Sequence, residues 1–187
     1  MTLPEGASRG LLALARKSLE IYLREGRKLL KGGDYRAIFD EKRGAFVTIH
    51  SSEGALRGCI GMILGYKALD ETIVDMAIAA GTQDPRFGRI EEDELPGLRF
   101  EISVLTPPKV EKDPEKIVVG KHGLIISSGF SKGLLLPQVA AEHGFDRKTF
   151  LEHTCLKAGL DRNAWKEPGT VIETFEAEVF GESDEEK

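Results

Sequence analysis

The residues best suited to chemistry in this chain lie together in Leu56-Arg57-Gly58-Cys59-Ile60-Gly61, where a thiol stands between two glycines close behind a guanidinium. A thiolate is a potent nucleophile, and a neighbouring cation favours it over the thiol. In an extended segment Arg57 and Cys59 project to the same face, so the guanidinium is expected beside the sulfur. Glycine costs a strand packing and backbone order, so Gly58 and Gly61 mark a place where something approaches the backbone closely and N–H groups stay open as donors. Cys59 is thus the candidate nucleophile, Arg57 an anion contact, and Gly58 and Gly61 the substrate-facing backbone. Residue statistics favour a plainer use: Cys59 as a small core hydrophobe, with the glycines making a bulge.

A second candidate lies in Gly81-Thr-Gln-Asp-Pro-Arg-Phe-Gly88. Asp84 and Arg86 either brace one another across this turn or leave Arg86 to present its fork to a carboxylate or phosphate. Cys155 falls among apolar residues at helical spacing and reads as core, and His143 and His153 read as surface residues.

Periodicity supplies the elements that must carry these residues. Ser8 is placed to cap a first helix with Leu11, Leu14, Ala15, Leu19, Tyr22 and Leu23 on its apolar face and Arg16, Glu20, Arg24 and Lys28 opposite, ending at Gly32-Gly33. Residues 44–50 and 56–63 read as strands around the turn 51–54, so the thiol lies on a hairpin. A helix follows over 68–80, then an alternating strand over 98–105 closed by Pro107-Pro108. Asp113-Pro114 opens a helical turn, and 124–128 and 134–136 form a second hairpin around the loop 129–133. Pro137 opens one helix, and Asp146 caps another that stops at Gly159. The last strand, 171–180, is expected to turn Val171, Phe175, Ala177 and Val179 inward.

With 187 residues the chain suits one domain, perfectly able to bury a core. Its 41% hydrophobic and 30% charged content is that of an ordinary globular protein. No apolar run is long enough for a membrane span, the first ten residues lack a signal-peptide core, and two distant cysteines fit a reducing cytoplasm better than a disulfide framework. No Cys or His spacing suggests a metal site. The net charge of −5 argues against general nucleic-acid binding. Seven basic residues between Arg9 and Lys31 nevertheless stand against Glu20 and Glu25 alone, and residues 181–187 form an acidic tail expected to be disordered. Turn-linked strand pairs without strict strand–helix alternation indicate an α+β fold with a mainly antiparallel sheet and flanking helices. Without GxGxxG, a Walker-type loop, His-Glu-x-x-His or a serine elbow, no cofactor is expected.

Taken together, Gly44-Ala45-Phe46-Val47, Leu56 to Gly61, Asp84-Pro85-Arg86-Phe87, Glu101 to Pro107, His122-Gly123, Leu134 to Ala140 and Lys157-Ala158-Gly159-Leu160 resemble the AMMECR domain family, also called AmmeMemoRadiSam system protein A. The resemblance covers about residues 8–180, departing at Phe145, where tryptophan is expected. It implies two interlocked lobes with a cleft between them near Leu56–Gly61, and partnership with a Memo-type protein and a radical S-adenosylmethionine protein. It names no reaction. The reading that follows is an enzyme or enzyme subunit acting on a small or peptide-borne anionic group, with Cys59 as nucleophile or carrier, Arg57 and Arg86 as anion contacts and His122 as acid or base. The alternative is a protein- or RNA-binding module without thiol chemistry.

Overall fold

The structure, a computed structural model, describes residues 3, 4 and 6–182. The chain forms two compact units: one comprises the residues up to Leu105 with those from Glu178 on, the other Thr106–Ala177.

The first unit begins with α1 (Ala7–Glu25), whose Leu11, Leu12, Ala15 and Leu19 are buried. Gly6, not Ser8, stands at its N-cap, so Ser8 lies within the first turn. The helix also ends earlier than its composition suggests, because Gly26 adopts φ 67° and returns its N–H to the Tyr22 carbonyl at 3.0 Å. That left-handed geometry suits glycine and terminates a helix. Lys28 therefore leaves the helical row, and Arg27, Lys28 and Lys31 bind carboxylates of neighbouring segments: Asp34, Asp75 and Asp40 respectively.

Two strands follow, β1 (Ala45–His50) and β2 (Leu56–Met62), then α2 (Leu69–Thr82) and β3 (Arg99–Leu105). Strand β1 pairs antiparallel with both β2 and β3, leaving β2 at the edge. Ala45, Val47 and Ile49 of β1 and Phe100, Ile102 and Val104 of β3 are buried and join Leu11, Ala15, Leu19, Ile73, Ala77 and Ala80 of the two helices in one core. The period of two in the strands thus sends Phe46, Thr48 and His50 to the other face of the sheet, where they are half-buried.

In the second unit β4 (Lys109–Val110), β5 (His122–Ser128), β6 (Ser131–Leu135) and the first part of β7 (Val171–Gly181) make antiparallel pairs, with β5 between β6 and β7. The β5–β6 turn is only Gly129-Phe130, tighter than the five-residue loop expected. Pro137 opens α3 (Pro137–Glu142), and Asp146 caps α4 (Arg147–Lys157) by accepting the Thr149 N–H at 2.7 Å. Ile117, Leu124, Ile126, Phe150, Leu151 and Ile172 fill this core together with fully buried Cys155, whose thiol burial pushes up. His143 and His153 each lie against the Phe145 ring, at 5.4 and 4.5 Å between centroids.

Strand β7 departs from its expected pattern. Val171 and Val179 are exposed, while Ile172 and Phe175 are buried and Phe180 packs on the core of the first unit. Of the expected acidic tail, Gly181 closes β7 and Glu182 is firmly held: its carboxylate takes Arg16 Nε at 2.8 Å, Arg16 Nη2 at 2.6 Å and the Phe100 N–H at 2.9 Å. Residues 183–187 lie outside the described residues.

The fold is α+β with an antiparallel sheet and flanking helices. Among the described residues no helix is long and apolar enough to cross a membrane.

Candidate functional site

Cys59 lies in the middle of edge strand β2, opposite Thr48 in register. Its backbone N–H donates to Asp84 Oδ2 at 2.9 Å, and its carbonyl accepts Arg86 Nη2 at 3.3 Å. Both groups point away from β1, so Thr48 and Cys59 form a non-hydrogen-bonded pair, the kind whose side chains stand closest. The Thr48 hydroxyl accordingly donates to Sγ at 3.3 Å. Cys59 is half-buried and unbridged.

The turn after α2 closes the strand edge. Asp84 is 4% exposed, and its carboxylate also accepts Arg86 Nε at 3.0 Å, Arg86 Nη2 at 2.7 Å and the Arg86 N–H at 3.1 Å. The Arg86 guanidinium, with the Cys59 amide, holds the Asp84 carboxyl well below the usual carboxylate range. Asp84 in turn raises the Arg86 pKa, and Cys59 adds to that effect. One edge of Arg86 therefore braces Asp84, as the first of the two sequence readings has it, while the side chain stays 55% exposed. Among the described residues its Nη1 makes no hydrogen bond.

Arg57 is employed differently from expectation. Its guanidinium makes a bidentate pair with Glu94, Nε to Oε2 at 2.8 Å and Nη2 to Oε1 at 2.9 Å. The Gly88 and Arg89 carbonyls take Nη1 and Nη2 at 2.7 and 3.1 Å. Glu94 raises the Arg57 pKa, and Arg57 lowers that of Glu94. The residue that stands at Cys59 is Arg86.

The two glycines admit close neighbours on opposite faces. A Cβ on Gly58 would lie 2.1 Å from the Ala80 carbonyl oxygen of α2, and one on Gly61 2.2 Å from the Phe46 ring. The close approach that the sequence implies comes from the protein itself at both positions.

His122 lies in the second unit, at the start of β5. Its Nδ1 accepts the Val118 N–H at 3.2 Å, and its Nε2 stands 4.0 Å from Glu176 Oε1. Sequence reasoning passed over Thr48 and Glu101, which complete a row with Cys59 across β2, β1 and β3. Their alternation with buried neighbours was visible, but their alignment depends on strand register. Among the described residues no group of three or more His, Cys, Asp or Glu side chains could hold a metal ion.

Comparison with known proteins adds relatives of nearly the same length. A protein of Methanosarcina mazei is 43% identical, covering 97% of this chain and 94% of its own, and one of Thermococcus gammatolerans is 45% identical, covering 92% and 88%. The crystal structure of the uncharacterised protein PH0010 from Pyrococcus horikoshii superposes with a TM-score of 0.87 at 38% identity, over 97% of this chain and 94% of that one. The AMMECR1 family model matches residues 12–180 and so spans both compact units. This chain belongs to the AMMECR1 family.

Proposed function

We propose that the protein is a cysteine-dependent enzyme or enzyme subunit acting on a small or peptide-borne anionic group. The observation that carries this is the half-buried Cys59, whose sulfur accepts the Thr48 hydroxyl at 3.3 Å and whose carbonyl accepts the Arg86 guanidinium at 3.3 Å. Arg86, its side chain 55% exposed, is the anion contact, with Gly58 and Gly61 letting the strand sit where α2 and Phe46 close around it. Arg57 holds the 88–94 loop beside the site. His122→Gln tests the acid or base role expected of that residue. Partnership with a Memo-type protein and a radical S-adenosylmethionine protein, and a cytoplasmic location, rest on family membership and cysteine usage alone.

The test is labelling of the native protein with iodoacetamide, with peptide mass mapping. Modification of Cys59 with Cys155 silent is expected, since Cys155 is fully buried. Native protein in which Cys59 stays unlabelled while Cys155 reacts would leave the binding-module reading in its place.

A further inference from the structure

Helix α1 ends at Glu25 and β1 begins at Ala45, and the connection between them carries no helix or strand of its own. Connections of that length inside a compact unit are usually functional covers or linkers. Gly26 begins this one at φ 67° and Gly32 turns it again at φ 85°; at its far end Gly44 is fixed, since a Cβ there would lie 2.0 Å from the Ile63 carbonyl oxygen. Between these points residues 27–40 fold mostly on themselves. Asp34 takes the Arg27 guanidinium at 2.9 Å and the Leu30 N–H at 2.8 Å, the Gly32 N–H donates to the Tyr35 carbonyl at 2.8 Å, and Lys31 pairs with Asp40.

What fastens this segment to the first unit is small and largely polar. Asp70, wholly buried in the first turn of α2, takes Lys31 Nζ at 3.3 Å and the Ile38 N–H at 3.1 Å, and Lys28 pairs with Asp75 further along the helix. The Phe39 carbonyl in return accepts the Asp70 N–H at 3.4 Å, in place of the side-chain cap that Ala68 does not supply. Leu29 alone among residues 27–40 is buried; with half-buried Tyr35 and Ile38 it covers Leu14 of α1 and Val74 and Ile78 of α2, while Ile38 and Phe39 also touch the main core. A buried ion pair adds little net stability, because opening it returns both charges to water. Local opening costs least where few apolar contacts are given up.

We infer that residues 27–40 are a strap that opens as one unit while the sheet stays folded, uncovering an apolar groove between α1 and α2 floored by Leu14, Val74 and Ile78. Lys31 on Asp70 is its latch: without that charge the buried carboxylate is left underpaired while the strap is closed, which shifts the strap towards the open state. The device goes beyond the thiol reading above and does not depend on it.

The test is residue-resolved amide hydrogen exchange on the whole chain, in the wild type, Lys31→Met and Lys31→Arg. In the wild type the Gly32, Asp34 and Ile38 amides are expected to share one protection, at least about 100-fold below that of the amides of β1. Lys31→Met should speed all three together about tenfold and leave β1 unchanged, with the charge-keeping Lys31→Arg closer to the wild type. The thiol introduced by Val74→Cys, beneath the strap, should react with iodoacetamide about tenfold faster once Lys31→Met is added. Strap amides that exchange in step with β1 overturn the inference in the wild type alone, whether or not Lys31→Met folds. Amides that respond singly to Lys31→Met, or labelling at position 74 that ignores it, overturn it as well. None of these outcomes touches the reading of Cys59.

Discussion

The carboxylate of Asp84 accepts the backbone N–H of Cys59 at 2.9 Å, so a buried side chain occupies the place on β2 that a further strand would take. An edge strand left open is a template for unwanted pairing. Here the edge is closed at the thiol by a turn that also delivers Arg86 to it.

Asp84→Asn should cost about 2 kcal/mol at neutral pH, because the exchange weakens hydrogen bonds made to a buried charge. The pH dependence follows from the depressed carboxyl. Its stabilisation is complete above the unfolded value of about 3.9 and drains away as pH falls below that toward the lower folded value. Urea unfolding at several pH values should show a steeper acid loss between about pH 4 and pH 2 in the wild type than in the variant; parallel curves would contradict the pairing.

Gly58→Ala should destabilise more than Gly61→Ala. The first methyl meets backbone, the Ala80 carbonyl oxygen at 2.1 Å, which can yield only if α2 moves. The second meets the Phe46 ring at 2.2 Å and also the Ala45 carbonyl oxygen at 2.6 Å, but Phe46 is half-buried and its ring can turn. Overpacking of this kind costs about 1–3 kcal/mol, and the difference in urea midpoint between the variants is the measurement.

Arg57→Ala should loosen the 88–94 segment while leaving the thiol in place. Limited proteolysis is expected to cut there several times faster, since Glu94 and the Gly88 and Arg89 carbonyls lose their common donor. Cys59 labelling should change by less than about twofold, because Arg86 supplies the charge beside it. A tenfold fall in labelling would return Arg57 to the role its spacing suggested.

Ending the chain at Gly181 should lower the stability of the first unit. Glu182 takes two Arg16 nitrogens and the Phe100 N–H, and Arg16 also bonds the Leu95 and Leu98 carbonyls and lies 4.9 Å over the Phe100 ring. Thermal melting of chains ended after 181 and after 182 isolates that one residue; equal midpoints would show the clamp to be idle.

Much of the fold was legible because its signals are local. β-Branched and aromatic content identified β1, the turn after it β2 and alternation β3, and Pro137, Asp113-Pro114 and Asp146 opened the helical segments they suit. The end of α1 was misplaced because Arg27, Lys28, Leu29 and Leu30 are good helix formers and only the backbone of Gly26 shows the break. The 310 turn at Glu92–Gly97 carries Pro96 and an acidic run, neither of which announces a helix, although Glu91 and Glu94 form its capping box. At the site, the pairing of Asp84 with Arg86 could be read because the two are neighbours. The target of Arg57 could not, because Glu94 lies far along the chain and reaches it only through the tertiary fold.

The division of β7 has a consequence for biogenesis. Its residues from Val171 to Ala177 belong to one unit and those from Glu178 on to the other, whose remaining residues come from the beginning of the chain. Ribosomes add about 5–20 residues per second, so the first unit waits seconds after its helices and β-hairpin emerge for the segment that completes it. The inserted unit, contiguous in sequence, is the earlier of the two to be fully translated, and the unit that bears the thiol is finished only when the segment from Glu178 to Glu182 has been made.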